Sequence, residues 1–406
     1  MVRITAELVN AADGSTLWSQ RYDRPYTDLF ALQDDITTAV ATALKAELLA
    51  SDTAATQTDR PPSGNLAAWN AYSQGKFAAA LYTRADFRKA IGFYTQATTL
   101  DPRYARAYAA MAIAWANLAA VFVGGDEQRP AFASARAAAD RALQLDSNLA
   151  AAHDARGVVL EWADLDWQGA EAEYRRALEL APNDGLSKYR LSDVLGVLGR
   201  PQEAIVLLRQ VVATDPRDFF SYAWLAWNLA AAGQMEEAEQ AVHKAMELAP
   251  GGSLPQTFLV IIEIQRGDAK AALAAAQREP AGLWRDDGLA LALQIGDDRA
   301  AADAALNALI AKHADAMAWQ IAMVYAVRKD PDNMFEWLDR AWANRDPGIG
   351  GLLTDPFIQR YKDDPRFAAF CRKVGLPVPG DIRPGVAGSA SSSPLPASTS
   401  AGSGLG

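Results

Sequence analysis

Three histidines (His153, His243, His313), one cysteine (Cys371) and three adjacent acid pairs (Asp34-Asp35, Asp286-Asp287, Asp297-Asp298) are the reactive side chains that stand out in this 406-residue chain. Zinc-assisted hydrolysis needs two histidines one helical turn apart with an acid between them, and no His-Glu-x-x-His string is present. Neither the Gly-x4-Gly-Lys-[Ser/Thr] phosphate loop nor the Gly-x-Ser-x-Gly nucleophile elbow occurs. Cys371 would need a histidine base beside it to act as a nucleophile, and it reads instead as a core or cap residue. A single cysteine also excludes an intrachain disulfide and a cysteine-based zinc site. The string DLDWQG at 164–169 begins like a calcium loop, but it lacks a third Asp or Asn, and Arg175 stands where the closing Glu belongs. It reads as an inter-helix turn. The acid pairs read as helix starts or turns, where a carboxylate meets the positive end of the helix dipole. The expectation is no catalytic constellation, no metal and no cofactor: not an enzyme.

Composition narrows the partners. Half the residues are hydrophobic, enough for a large core, and the net charge is -10. That charge argues against direct nucleic-acid binding, which needs a basic surface, and against an anionic membrane surface. The first twenty residues alternate polar and apolar and contain no signal-type apolar run. No stretch of roughly 18 apolar residues is free of charge, so no membrane span is expected. The default compartment is cytoplasmic, or periplasmic if the true N-terminus lies upstream.

Any side chains that cooperate must be positioned by a repeat. Gly199, Gly233 and Gly267 are spaced by 34, as are Leu191, Leu225 and Leu259, Ala204, Ala238 and Ala272, and Pro182, Pro216 and Pro250. In the unit from Leu191 to Pro216, glycine suits the end of a first helix because it adopts left-handed angles freely. Ala204, Leu208 and Val211 then form one apolar stripe at helical spacing, and Asp215-Pro216 ends the second helix. Each unit is an antiparallel helix pair that buries its apolar face only by stacking on the next.

These residues resemble the tetratricopeptide repeat, most clearly at Tyr222, Leu225, Ala226, Ala238, Val242, Ala245 and Pro250. Upstream, His153, Gly157, Leu160, Ala170, Tyr174, Ala177 and Pro182 fit with one inserted residue, and Pro280 interrupts a second helix downstream. The resemblance implies an all-α, right-handed superhelical solenoid of about eight helix pairs over residues 65–345. It also implies that the first helices line a concave groove. The repeat phase puts Trp162, Tyr189, Arg190, Asp193, Phe220, Trp224, Trp227 and Phe258 near that surface, where a peptide or protein partner would dock. Asp193 occupies a position at which some members hold a peptide C-terminal carboxylate, and its charge would repel one.

The ends differ from the repeats. VRITAELVNA alternates Val2, Ile4, Ala6 and Leu8 on one face, Asp13-Gly14 supplies a turn, and STLWSQRYDR returns with Leu17 and Tyr22. A helix with Phe30, Ile36, Val40 and Leu44 follows. This run, with its LWSQRYDR and FALQDD strings, is similar to the end of a TolB-like α/β domain, which in bacterial proteins directly precedes tetratricopeptide repeats. The resemblance implies that residues 1–50 are the remnant of such a domain. The rival is that the short form is complete and takes a strand from a partner. Residues 51–64 read as a linker, 346–376 as a cap on the solenoid's end, and 377–406, rich in Gly, Ser and Pro, as a disordered tail. The expected function is a protein-interaction scaffold, as the sensory or scaffold part of a bacterial regulator. The alternatives are the regulatory half of a class III adenylate cyclase whose catalytic domain is absent from this chain, and an envelope or periplasmic scaffold.

Overall fold

A computed structural model of the chain describes residues 1–9, 14–43, 59–123, 125–250, 253–314 and 316–382. Its N-terminal unit is a hairpin, β1 (Val2–Val9) and β2 (Thr16–Arg24), followed by α1 (Leu29–Ala43). Eight helix pairs follow. They are α2 (Leu66–Ala80) with α3 (Arg84–Leu100), α4 (Ala105–Asn117) with α5 (Gln128–Leu145), α6 (Ala150–Val159) with α7 (Trp167–Leu180), and α8 (Gly185–Val197) with α9 (Pro201–Thr214). The array continues with α10 (Phe219–Ala231) and α11 (Met235–Leu248), α12 (Ser253–Arg266) and α13 (Ala269–Arg278), α14 (Leu283–Leu293) and α15 (Arg299–His313), and α16 (Ala318–Arg328) and α17 (Pro331–Ala343). Short 3-10 turns and α18 (Pro365–Val374) end the described chain. The fold is an all-α solenoid of helix pairs of the tetratricopeptide kind, wound as a superhelix.

Local chemistry explains each pair. Asp166, Asp184, Asp218, Asp268, Asp298 and Asp330 accept hydrogen bonds from backbone N–H groups of the helices they precede. These caps satisfy donors that have no partner inside the helix. Gly199 and Gly233 leave the first helices with φ of +72° and +77°. Ala170, Ala204, Ala238 and Ala272, one per repeat, are fully buried where the two helices of a pair cross. A larger side chain there would hold the pair apart. The single residue inserted in the third repeat is absorbed by a π-turn, Leu160–Asp164, and the longer insertion of the second repeat begins with another, Leu118–Phe122. The run Ala105–Phe122, α4 and its π-turn, is long and apolar enough to cross a membrane by length and composition; it packs inside the solenoid against α3, α5 and α6.

In the hairpin, Val2, Ile4, Ala6 and Leu8 lie on the half-buried face, as their alternation predicts. They stand opposite Arg24, Tyr22, Gln20 and Trp18. The register shifts between Leu8 and Val9, so Leu17 is the extra residue of a bulge, and Trp18 stands on Tyr22's face. Gly14 keeps the left-handed angle expected of the turn, while Asp13 and Leu44 lie outside the described residues. α1 lies against the hairpin, with Leu32 buried and Ile36 half-buried. The unit docks on the first repeat: Phe30 meets Trp69 edge-on at 5.8 Å, Tyr26 donates to Asn70 Oδ1 at 3.0 Å, and Arg60 grips both Asp34 carboxylate oxygens at 2.8 and 2.9 Å. Asp34 and Asp35 therefore sit mid-helix in ion pairs with Arg60 and Arg24, not at a helix start.

The segment read as an end cap divides in two. α18 covers α17 through Arg366–Asp332 and Lys373–Asp339 ion pairs and the Arg366 guanidinium over Phe335, and it buries Cys371. Residues 345–358 instead turn back along the inside of the superhelix as far as α8. The residues after 376 begin ordered: Val378 and Ile382 pack on the core, Ile382 against Gly199. The rest of the expected tail, and residues 44–58 that include most of the expected linker, lie outside the described residues.

Candidate functional site: the inner face of the solenoid

First helices of successive pairs touch one another, α4 with α6, α8 with α10, α10 with α12, α12 with α14 and α14 with α16. They make the inner layer, and the side chains they turn away from their own partner helix form its concave lining.

Around repeats 3 and 4 that lining is polar and buried. Glu161, carried by the π-turn, accepts a hydrogen bond from Tyr174 Oη at 2.6 Å and is hydrogen-bonded to Asp193 on α8. Burial raises both carboxyls, with Asp193's charge adding to the rise of Glu161; Asp193 reaches about 6 and Glu161 stands well above the usual carboxylate range. Arg190, almost covered, lies 3.7 Å from Asp154, itself buried and raised by desolvation against the pull of that guanidinium. Asp193 is thus engaged within the wall, and Arg190 faces a carboxylate of the same wall.

Around repeats 5 and 6 the lining is aromatic. Tyr189 and Phe220 meet at 5.7 Å, Trp224 and Phe258 at 5.5 Å, and Trp227 and Phe258 at 5.1 Å. Phe258 is buried beneath the two indoles, whereas Phe220 keeps 36% of its surface exposed. The sequence reading treats this surface as open. The chain's own residues 345–358 reach part of it, at Trp227 and beside Trp162 at Ala163. Trp227 Nε1 donates to Thr354 Oγ1 at 3.1 Å across 127 residues of sequence, and Arg345 Nη1 donates to the Ala163 carbonyl at 2.8 Å. Trp162 is half-buried on the π-turn next to Ala163.

Three glycines make this approach possible. A Cβ on Gly348 would come within 2.5 Å of the Trp319 ring, one on Gly351 within 2.9 Å of the same ring, and one on Gly350 within 3.0 Å of Val197. Asp346 accepts from the backbone N–H groups of Trp319 and Gly348 at 3.0 and 2.9 Å, anchoring the segment to α16. Ile349, Leu352, Phe357 and Ile358 are fully buried. Asp355 Oδ1 accepts from the Phe357 and Ile358 N–H groups, while Asp355 Oδ2 and Asp287 Oδ1 on α14 are buried without a hydrogen-bond partner. Asp287 is therefore a buried group of the inner face rather than a helix-start carboxylate on the surface.

The histidines are not brought together: His153 pairs with Glu173 and His313 with Asp286, in different repeats. Among the described residues no group of three or more His, Cys, Asp and Glu side chains is placed to hold a metal. DLDWQG is an inter-helix turn in which Leu165 is left-handed and Asp166 caps α7. Sequence reasoning missed Glu161, the burial of Asp287 and the inward course of residues 345–358. The signal for the last was present: two Asp-Pro steps, Asp346-Pro347 and Asp355-Pro356, bracket a run too rich in glycine to be a capping helix.

No family model matches the chain. A curated protein named "Putative adenylate cyclase 3", from Rhizobium meliloti (strain 1021), is 39% identical over 51 residues, 13% of this chain and 9% of that protein's length. Among solved structures, similarity extends to YrrB, described as a TPR protein with an unusual peptide-binding site (TM-score 0.36, 21% identity, 53% of this chain and 97% of that one). It extends also to a chain of the APC/C Cut9–Hcn1 hetero-tetramer (0.49, 16%, 70% and 54%) and to yeast Tom70 (0.45, 16%, 78% and 69%).

Proposed function

We propose that the chain is a protein-interaction scaffold whose inner face receives a polypeptide segment. The observation that carries this is the aromatic strip of repeats 4 to 6, which already holds a 3-10 stretch of the chain itself through Trp227 and Thr354. Aromatic side chains present large, rigid area at low entropy cost and are the usual anchors of such surfaces. Phe220 is the exposed end of the strip and contributes little to the core, so it separates binding from folding. Phe220→Ala is expected to leave helicity unchanged and to weaken capture of partners from the native cells at least fivefold, scored by quantitative mass spectrometry against the wild type. An unchanged partner profile would remove the strip from the binding surface.

Within this reading, the finer role is the sensory or scaffold part of a bacterial regulator. A second reading, the regulatory portion of a class III adenylate cyclase, is supported by the 51-residue likeness. The hairpin fits it, since both outer strand edges are unpaired among the described residues, as at the margin of a larger α/β domain. The intact mass of the protein isolated from its own cells separates the two. A mass near 43.6 kDa excludes a catalytic domain on the same chain, and a larger one identifies what is attached.

A further inference from the structure

The segment 345–358 differs from the rest of the core in how it is held. It forms 3-10 turns and no α-helix, and the i→i+3 hydrogen bonds of such turns have poorer geometry than those of an α-helix. Its fixed contacts are to the inner lining: Asp346 on the Trp319 N–H, glycines on the Trp319 ring and Val197, Leu353 on Gly199, and Thr354 on Trp227. One feature opposes the fit. The charge of the buried Asp355 acts on the buried Asp287 carboxyl, and each has an oxygen without a hydrogen-bond partner.

We propose that the inner face of repeats 4 to 8 is a receptor for a short, glycine-bearing, Asp-capped segment with a leucine pair, and that residues 345–358 are its resident, displaceable ligand. The proposal rests on the reading of this face as a polypeptide-binding surface and adds its regulation: an incoming partner competes with the chain's own segment. The partner it fits is a peptide of the same chemistry, small residues where Trp319 and Val197 close in and aliphatic residues at the positions of Leu352 and Leu353.

Proton linkage gives the displacement a direction. Burial first, and the Asp355 charge second, push Asp287 up to about 7. Burial pushes Asp355 up to about 6, against the Ile358 and Phe357 N–H groups and the Arg360 guanidinium. These are the charged and polar groups acting on the pair from α14, from the segment and from the turn that follows it. With the segment seated, Asp355 is neutral below about pH 6 and Asp287 below about pH 7, whereas in solvent each would ionise near the ordinary 3.8. The seated state is therefore fully favoured below about pH 4, and it loses ground as pH rises to about 7.

Hydrogen exchange on the full chain tests this without any partner. At pH 8, residues 347–358 are expected to exchange at least tenfold faster than α10 and α16 after correction for intrinsic rates, with the gap narrowing at pH 5. Asp287→Asn should narrow the difference between the pH 8 and pH 5 rates, the remainder being carried by Asp355. Equal protection of the segment and α16 at both pH values would overturn displaceability. In a second arm, a fluorescein-labelled peptide of residues 345–358 is added to the wild type and to the Leu352→Asp/Leu353→Asp variant. At least tenfold tighter binding to the variant is expected. A variant that keeps α10 and α16 protected yet fails to bind the peptide would overturn the receptor assignment. Either failure leaves the Phe220→Ala result standing on its own, so the two readings fall separately.

Discussion

Asp193 stands on α8 with its carboxyl hydrogen-bonded to Glu161, and burial raises both groups. The folded-state value of about 6 for Asp193 lies above the ordinary 3.8. Its contribution is therefore intact below about pH 4 and is lost as pH climbs through 6. At about 1.4 kcal/mol per unit, the loss is on the order of 3 kcal/mol at pH 8. Asp193→Asn keeps a hydrogen-bond partner for Glu161 without the second charge. It is expected to raise the thermal midpoint by several degrees at pH 8 and to leave it unchanged at pH 4, read by circular dichroism. A rise of equal size at both pH values would mean that charge is not the cause. The sequence locates Asp193 on the inner face by repeat phase alone. It does not reveal the partner, because Glu161 reaches that face only through the π-turn that absorbs an inserted residue.

At the scale of elements, the glycines that end the first helices are equivalent in sequence and not in structure. Gly199 and Gly233 share the left-handed angle, which costs an L-residue about 1 kcal/mol. A Cβ on Gly233 meets nothing within 4 Å, whereas one on Gly199 would come within 2.7 Å of Ile382 and 3.2 Å of Leu353. Gly233→Ala is expected to destabilise by about 1 kcal/mol. Gly199→Ala should cost somewhat more, because Ile382 and Leu353 must give way to the added Cβ. Chemical denaturation of the two variants measures the difference, and equal losses would show that Leu353 and Ile382 yield freely. The period of 34, the caps and the paired helices are all legible in sequence, since each depends on residues a few positions apart. The inward course of 345–358 is not, because its determinants, Trp227, Val197 and Trp319, belong to three different repeats.

For the molecule as a whole, eight helix pairs stacked in order would interact only with their neighbours, and their stability would be a sum of units and interfaces. Residues 345–358 break that locality. Arg345 bonds the carbonyl of Ala163, 182 positions earlier, and Thr354 bonds Trp227. Repeats 3 to 8 are thereby joined into a loop, which the repeat pattern alone does not specify. An open solenoid lengthens under tension as a spring does, each interface flexing a little. Here a pull applied between repeat 3 and repeat 8 is borne first by the short tether from Arg345 to Thr354. The array is stiff until those few bonds part and compliant afterwards, so the same stretch of chain that fills the inner face also sets the force at which the superhelix begins to extend.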